Sequence, residues 1–239
     1  MDSMVKPVED LATGPVQNRD VACAPGMPPF AKPAHGQQLT VLHAEHDIIY
    51  HEGDDISHYY EVIDGAIMLY KILPDGRRQV VEIVGPGAMF GISCDDSRDC
   101  TAETLVASRL KVMDYMSCAN VPEAHCRMCR QLQEQLREMR SHAVLLGRKS
   151  AMERVASFIL CLVFGRHVGS DETCDERGHK LTVRLPMTRQ EIADYLGLTI
   201  ETVSRSFSEL KRRGLIDFDK NDWVRVTDLP GIDQLSGTR

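Results

Sequence analysis

The rhythm of apolar and polar positions changes several times along this chain, and each change marks a different element. From about Leu39 to Tyr115, short apolar runs are broken by Glu52-Gly53-Asp54, Ile63-Asp64-Gly65, Pro74-Asp75-Gly76 and Gly85-Pro86-Gly87. The runs at 59–63, 66–73, 79–84 and 109–115 are strand-sized. Turn signals at about ten-residue intervals predict a small antiparallel sandwich or barrel. Pro74-Asp75-Gly76, lying between two such runs, predicts a hairpin turn.

Near Val121 the period lengthens. Leu132, Leu136, Met139, Ala143 and Leu146 step by four, three, four and three, with Arg, Glu, Gln and Ser between them. Those steps are the a/d seam of a left-handed coiled coil, narrower than the stripe of an ordinary globular helix. The seam predicts a dimerisation helix; one amphipathic helix packed on its own domain is the alternative. Gly147 ends the seam. A second helix is predicted over 151–164, with Val155, Phe158, Ile159 and Leu162 on one face, then a polar loop and a strand over 181–185.

The following segment carries the most specific pattern. Thr188-Arg189-Gln190-Glu191 is a capping box: the threonine accepts from a backbone N–H one turn on, and the glutamate returns the bond. The helix it opens, 189–196, places Ile192 and Leu196 on one side. Gly197-Leu198-Thr199 makes a three-residue turn, in which Gly197 can adopt the left-handed C-cap. Thr199 then caps a second helix with Val203, Phe207 and Leu210 as its buried stripe. Two short helices around such a turn form a helix-turn-helix.

The opposite face of the second helix carries Glu201, Ser204 and Arg205, which project together near its N-terminus. Arg205 can fork onto guanine O6 and N7, Glu201 can accept from cytosine N4, and Ser204 is a small adaptable group beside them. A structural Glu–Arg pair on a helix bundle is the plainer alternative. After Lys211-Arg212-Arg213-Gly214, the alternating runs 215–218 and 223–226 predict a β-hairpin, the wing of a winged helix. Arg189, Lys211, Arg212 and Arg213 are expected along the phosphate backbone, where they would position the module without reading sequence.

Charge changes this picture less than its total suggests. The net charge is −7, yet residues 184–225 hold eight Lys/Arg against seven Asp/Glu, so the acidity lies elsewhere. Local placement of cations, rather than the total, governs phosphate contact. The hydrophobic share of 43% and charged share of 26% are those of ordinary globular protein, and 239 residues suffice for two modest domains. There is no run of eighteen apolar residues and no signal-peptide pattern, so the expected location is cytoplasmic, with no membrane partner. Residues 1–36 are rich in Pro, Gly and Ala and are expected to be a flexible arm or extended strap. Eight cysteines at irregular spacing in such a chain argue against a disulfide framework.

This order of elements resembles the CRP/FNR family of bacterial transcription regulators. The resemblance spans about residues 38–228 and is most specific from Thr188-Arg189-Gln190-Glu191-Ile192 through Glu201-Thr202-Val203-Ser204-Arg205. It implies an α+β fold: an N-terminal double-stranded β-helix (a jelly-roll of the cyclic-nucleotide-binding kind), a long dimerisation helix and a C-terminal winged helix-turn-helix. The expected divisions are arm 1–36, β-roll 37–117, dimerisation helix 118–148, DNA-binding domain 149–230 and tail 231–239. By the match, Glu201 and Arg205 read bases, beside Ser204, while Thr188, Arg189, Gln190, Thr199 and Thr202 contact phosphates or cap helices. Glu-x-x-Ser-Arg at 201–205 is the FNR/FixK pattern, as is the run 147–155. It implies TTGAT-type half-sites and control of genes for low oxygen, microaerobic respiration or nitrogen oxides. The implied partners are palindromic double-stranded DNA, a second copy of the chain and RNA polymerase; no enzymatic activity is implied.

Two sensors of that family can be tested against the residues. Cyclic-AMP binding needs a Gly-Glu for the ribose and an Arg-Ser for the phosphate. Here Gly91 is followed by Ile92-Ser93-Cys94, and Cys100-Thr101 stands at the second place, with Arg98 nearby. An FNR iron–sulfur cluster needs four thiolates, three of them near the N-terminus, where only Cys23 stands. No cofactor is therefore expected. Cys126-x2-Cys129, with Cys118 and His125 near, remains a candidate redox pair, the alternative being small buried apolar residues. A ligand-free regulator and a cysteine-based redox or metal sensor both stay open. His43, His46, His51, His58 and Glu61 raise a cupin-type metal enzyme, but odd spacings on strands face opposite sides. They are expected to be surface histidines, and no metal site is expected.

Overall fold

The computed structural model describes residues 20–22, 39–93, 95–114, 122–164, 173–174, 181–218 and 223–237. Nine strands build the N-terminal unit: β1 (Asp20–Ala22), β2 (Leu39–His43), β3 (Ile48–Tyr50), β4 (His58–Asp64), β5 (Ile67–Ile72), β6 (Arg78–Val84), β7 (Met89–Phe90), β8 (Thr101–Thr104) and β9 (Ser108–Asp114). They form two sheets, ordered β1-β2-β9-β4-β7 and β3-β8-β5-β6. Apart from β1, which runs parallel to β2, every pairing is antiparallel. The sheets enclose a core of Val41, Tyr60, Val62, Ile67, Leu69, Phe90, Leu110 and Val112. This is the expected β-roll. Strand β1, residues 20–22 of the segment expected to be an arm or extended strap, adds to the free edge of β2.

The hairpin at Pro74-Asp75-Gly76 joins β5 to β6, with Leu73 N–H donating to Arg77 and Gly76 N–H to Leu73, both at 2.8 Å. Strand β5 has apolar residues on both faces for a reason outside the roll. Ile67 and Leu69 point into the roll core, whereas Met68 and Tyr70 join a second core with the C-terminal helices.

Helix α1 (Pro122–Arg148) runs through Gly147 without a break. Its half-buried side chains among the described residues are Met128, Gln131, Gln135, Glu138, His142 and Leu146, with Leu145 buried. Gln135 donates to the Met89 carbonyl at 2.8 Å, and the His142 ring lies 4.4 Å from that of Tyr195. The apolar stripe is displaced one residue from this packed face. Leu132, Leu136 and Met139 are 42%, 47% and 58% exposed, and Ala143 is exposed too. Leu146 differs, being packed against the second core.

Helix α2 (Ala151–Val163) begins at a capping box of Ser150 and Glu153 and buries Val155, Phe158, Ile159 and Leu162. Beyond it lie β10 (Thr173–Cys174), β11 (Leu181–Arg184), α3 (Arg189–Leu196), α4 (Ile200–Arg212), β12 (Ile216–Phe218), β13 (Trp223–Val226) and α5 (Leu229–Ser236). The four strands form one sheet, β10-β11-β13-β12. Residues 229–236, expected to fall largely in a tail, are helical because Asp228 caps them and Ile232 is fully buried against α2.

Candidate nucleic-acid interface

Helices α3 and α4 are built by hydrogen bonds between neighbours in the chain. Thr188 Oγ1 accepts from Glu191 N–H at 3.2 Å, and Glu191 Oε2 accepts from Thr188 N–H at 2.7 Å. Gly197 closes α3 at φ 60°, ψ 44°, the left-handed region where a Cβ is costly. Thr199 caps α4 by accepting from Thr202 N–H at 3.3 Å. Ile192, Leu196, Val203 and Leu210 are completely buried, and that packing sets the angle between the helices.

One face of α4 is left to solvent. Glu201, Ser204, Arg205 and Ser208 are all exposed. The Glu201 carboxyl is held below the usual carboxylate range by a backbone N–H, by the Thr199 hydroxyl and by the nearby Arg205 charge, so it remains an acceptor. The Arg205 guanidinium makes no hydrogen bond among the described residues. Together the three side chains present an acceptor, a hydroxyl and a donor fork within one turn and a quarter of helix.

The expected backbone-contacting residues divide by what they already touch. Thr188 and Thr199 are caps, and Thr202 shares a 3.0 Å hydrogen bond with Thr199. Gln190 donates to Asp194 at 2.7 Å. The Arg189 guanidinium stacks on the rings of Phe207 (3.9 Å) and Phe218 (5.3 Å), so it ties α3 to α4 and to the wing. Arg212 and Arg213 both hold Glu209, which pulls that carboxyl down to about 2. Lys211 pairs with Asp217 at 3.0 Å. The basic run 211–213 is thus partly neutralised from within.

Arg154 plays a part that periodicity does not reveal. It donates to the carbonyls of Lys149, Leu146 and Leu196 at 2.9, 2.7 and 2.8 Å. One guanidinium therefore caps the C-terminal carbonyls of both α1 and α3. The only sequence signal is an arginine one turn into a helix that follows another helix.

One arginine lies inside the roll. Arg98, 4% exposed, is turned inward over the Tyr50 ring at 4.2 Å. It donates to the carbonyls of Gly91 and His58. Tyr50, Tyr60 and Phe90 stack beside it. Ile92 rather than a glutamate follows Gly91, and Nη1 and Nη2 of the arginine each donate to a backbone carbonyl, while its buried Nε has no hydrogen-bond partner among the described residues. Cys100 is buried, and burial pushes its thiol up to about 12. Cys126 and Cys129 are exposed on α1 rather than buried. Cys23, Cys94, Cys118 and His125 lie outside the residues whose side chains are described.

The histidines do not all lie on the surface, contrary to expectation. His58 is buried and shares a 2.7 Å hydrogen bond with Ser57, and the His43 side chain is 8% accessible. Among the described residues the one group of three or more potential metal ligands is His46, Glu103 and Glu191.

A winged helix-turn-helix with an open polar recognition face, joined to a β-roll, defines a DNA-binding regulator rather than an enzyme. Residues 153–235 match the Crp-like helix-turn-helix domain, and residues 41–125 match the cyclic nucleotide-binding domain. The nitrogen fixation regulation protein FixK of Bradyrhizobium diazoefficiens is 38% identical over 174 residues, 71% of this chain and 70% of that protein. Its counterpart in Rhizobium meliloti is 36% identical, covering 77% of this chain and 81% of that one. The solved structure of FixK2 from Bradyrhizobium japonicum superposes with a TM-score of 0.74 at 30% identity, over 84% of this chain and 98% of that chain. The chain belongs to the CRP/FNR family of transcription regulators and is similar to its FixK members. Among the described residues no helix is long and apolar enough to cross a membrane.

Proposed function

We propose that this regulator acts as a homodimeric activator on TTGAT-type inverted repeats, controls genes for microaerobic or anaerobic growth or for nitrogen oxides, and needs no cyclic AMP. The observation that carries the reading is the solvent-facing trio Glu201, Ser204 and Arg205 on α4. Arg205 forks onto a half-site guanine, Glu201 accepts from a cytosine and Ser204 fits beside them. Thr188, Arg189, Gln190, Thr199 and Thr202 line the phosphates around that trio. The names of the relatives support the regulon: two are nitrogen fixation regulation proteins, and the 35% identical AadR of Rhodopseudomonas palustris is a transcriptional activatory protein.

Dimerisation runs through Leu132, Leu136, Met139 and Ala143, with Leu146 at the end of the seam packed on its own chain, since an exposed apolar stripe beside an already packed face needs a second copy to cover it. The two reading helices then meet half-sites about one helical turn, ~34 Å, apart. RNA polymerase is the partner for activation, and the exposed β5–β6 hairpin at Asp75 is a place it could meet. Ile92 in place of a ribose-binding glutamate after Gly91, and the two Arg98 Nη groups turned to the Gly91 and His58 carbonyls, support independence from cyclic AMP. Footprinting on a TTGAT inverted repeat, with and without air and thiol reductant, tests the reading. Symmetric protection of both half-sites is expected without added nucleotide, and no protection above a scrambled repeat refutes it. Protection that required reductant in the wild type but not in a Cys126→Ser, Cys129→Ser variant would assign a switch to that pair.

A further inference from the structure

We propose that His46, Glu103 and Glu191 bind one divalent metal cation where the β-roll meets the first helix of the helix-turn-helix. The three come from different places: His46 from the loop between β2 and β3, Glu103 from β8, and Glu191 from the first turn of α3. His46 Nδ1 lies 3.2 Å from Glu103 Oε1 and 3.7 Å from Glu191 Oε1, and one ligand atom of each residue falls within 4.8 Å of the others. Ligands held about 2.0–2.1 Å from a tetrahedral ion stand about 3.3 Å apart. The imidazole is therefore already at ligand spacing from both carboxylates.

The arrangement differs from a chance meeting of surface acids. The Glu103 and Glu191 side chains are only 12% and 5% accessible. Each has one oxygen facing an outer partner, hydrogen-bonded in the case of Glu191, and the other turned to His46. Glu191 Oε2 accepts from the Thr188 N–H and hydroxyl at 2.7 and 2.8 Å, while Oε1 faces the ring. Glu103 Oε2 faces Arg78 at 3.8 Å, while Oε1 faces the ring. Outer partners of this kind orient metal ligands.

The loop holding the histidine is pinned as well. His46 N–H donates to the Thr104 carbonyl at 2.9 Å, and Asp47 N–H donates to the Thr104 hydroxyl at 2.9 Å. His46 sits at φ 62°, which no other non-glycine among the described residues shares.

Charge points the same way. Three carboxylates, Glu45, Glu103 and Glu191, stand 3.8, 3.2 and 3.7 Å from the His46 ring nitrogens, while Arg78, 3.8 Å from Glu103, spends its 2.8 Å contact on Asp194. A dication offsets the excess negative charge between Glu103 and Glu191 more fully than a single proton on His46. One imidazole and two carboxylates suit Mn²⁺, Fe²⁺ or Zn²⁺, and the half-exposed ring leaves room for water to complete the coordination. Bound there, the ion would tie the roll to the residue that caps the first helix of the DNA reader.

Mn²⁺ is the probe of choice, because the chain's thiols do not compete for it. Electron paramagnetic resonance of Mn²⁺ titrated into the metal-free full-length chain should show one saturable site per chain. His46→Ala, Glu103→Gln and Glu191→Gln should each weaken it at least tenfold. Glu191→Gln is the decisive variant, since glutamine also serves a capping box and so leaves α3 intact. In the wild-type chain, substoichiometric Mn²⁺ should broaden the His46 imidazole resonances before those of the other histidines. The absence of a saturable site, equal affinity in Glu191→Gln, or first broadening at another histidine would each overturn the assignment. So would a cluster whose only response is to pH, which would make it a histidine-centred ion pair.

Discussion

Arg205 and Arg189 show how differently one residue type behaves on one small motif. Arg189 is laid across Phe207 and Phe218, where its charge serves the packing of the reader. Arg205 is exposed and makes no hydrogen bond among the described residues, so its whole donor fork remains for a base. Arg205→Ala should remove about 1–3 kcal/mol of discrimination between a TTGAT-type and a scrambled site while leaving the thermal midpoint unchanged. Fluorescence anisotropy with both DNAs measures this, and full discrimination in the variant would rule out Arg205 as a base reader.

At the scale of the element, α1 has two stripes one residue apart. The polar one packs on its own chain and the apolar one faces outward. Leu136→Glu or Met139→Glu should shift the protein toward monomer and weaken operator binding; sedimentation that matched wild type would exclude the seam as the interface. The packed stripe carries a second expectation. Glu82 of β6 lies against Glu138 of α1, and burial first, then that neighbouring charge, push its carboxyl up to about 7. An acid whose folded-state pKa is raised binds more protons folded than unfolded between about pH 4.5 and 7. Stability from this group therefore falls as pH rises through that window. Glu82→Gln should flatten the slope and add about 1–2 kcal/mol at pH 8 in chemical denaturation. An unchanged pH profile would mean that Glu82 ionises without penalty.

Across the whole molecule, the roll and the reader share a core. Met68, Tyr70, Val80 and Ile83 of the roll belong to the same apolar cluster as Ile159, Ile192 and Leu196. Arg78 Nε donates to Asp194 at 2.8 Å, and Gln79 donates to the Asp194 carbonyl, so β6 is fastened to α3 by polar contacts as well. Both members of the Arg78–Asp194 pair are shielded, at 24% and 11% accessibility, and such pairs couple more strongly than surface ones. A double-mutant cycle with Arg78→Ala and Asp194→Ala should return a coupling of about 1–2 kcal/mol. Additive effects would show that apolar packing alone holds the two parts together.

What could be read from the chain alone was whatever is decided between near neighbours. The capping box at Thr188 and Glu191, the Gly197 turn, the hairpin at Pro74-Asp75-Gly76 and the buried stripe of α4 each depend on bonds or periods spanning a few residues. They were enough to reach the fold class and the kind of protein. Short strands such as β3 and β7 carry too few residues for a period, and β1 depends on a distant edge. Tertiary structure alone decided which partners distant side chains found. It turned Arg98 into the roll, laid Arg189 on two rings, joined Arg78 to a carboxylate 116 residues away, and brought His46 to Glu103 and Glu191. The physical reason is range. Backbone hydrogen bonds and periodicity act along the chain, whereas burial and charge pairing act through space, between elements whose approach is set by the core they share.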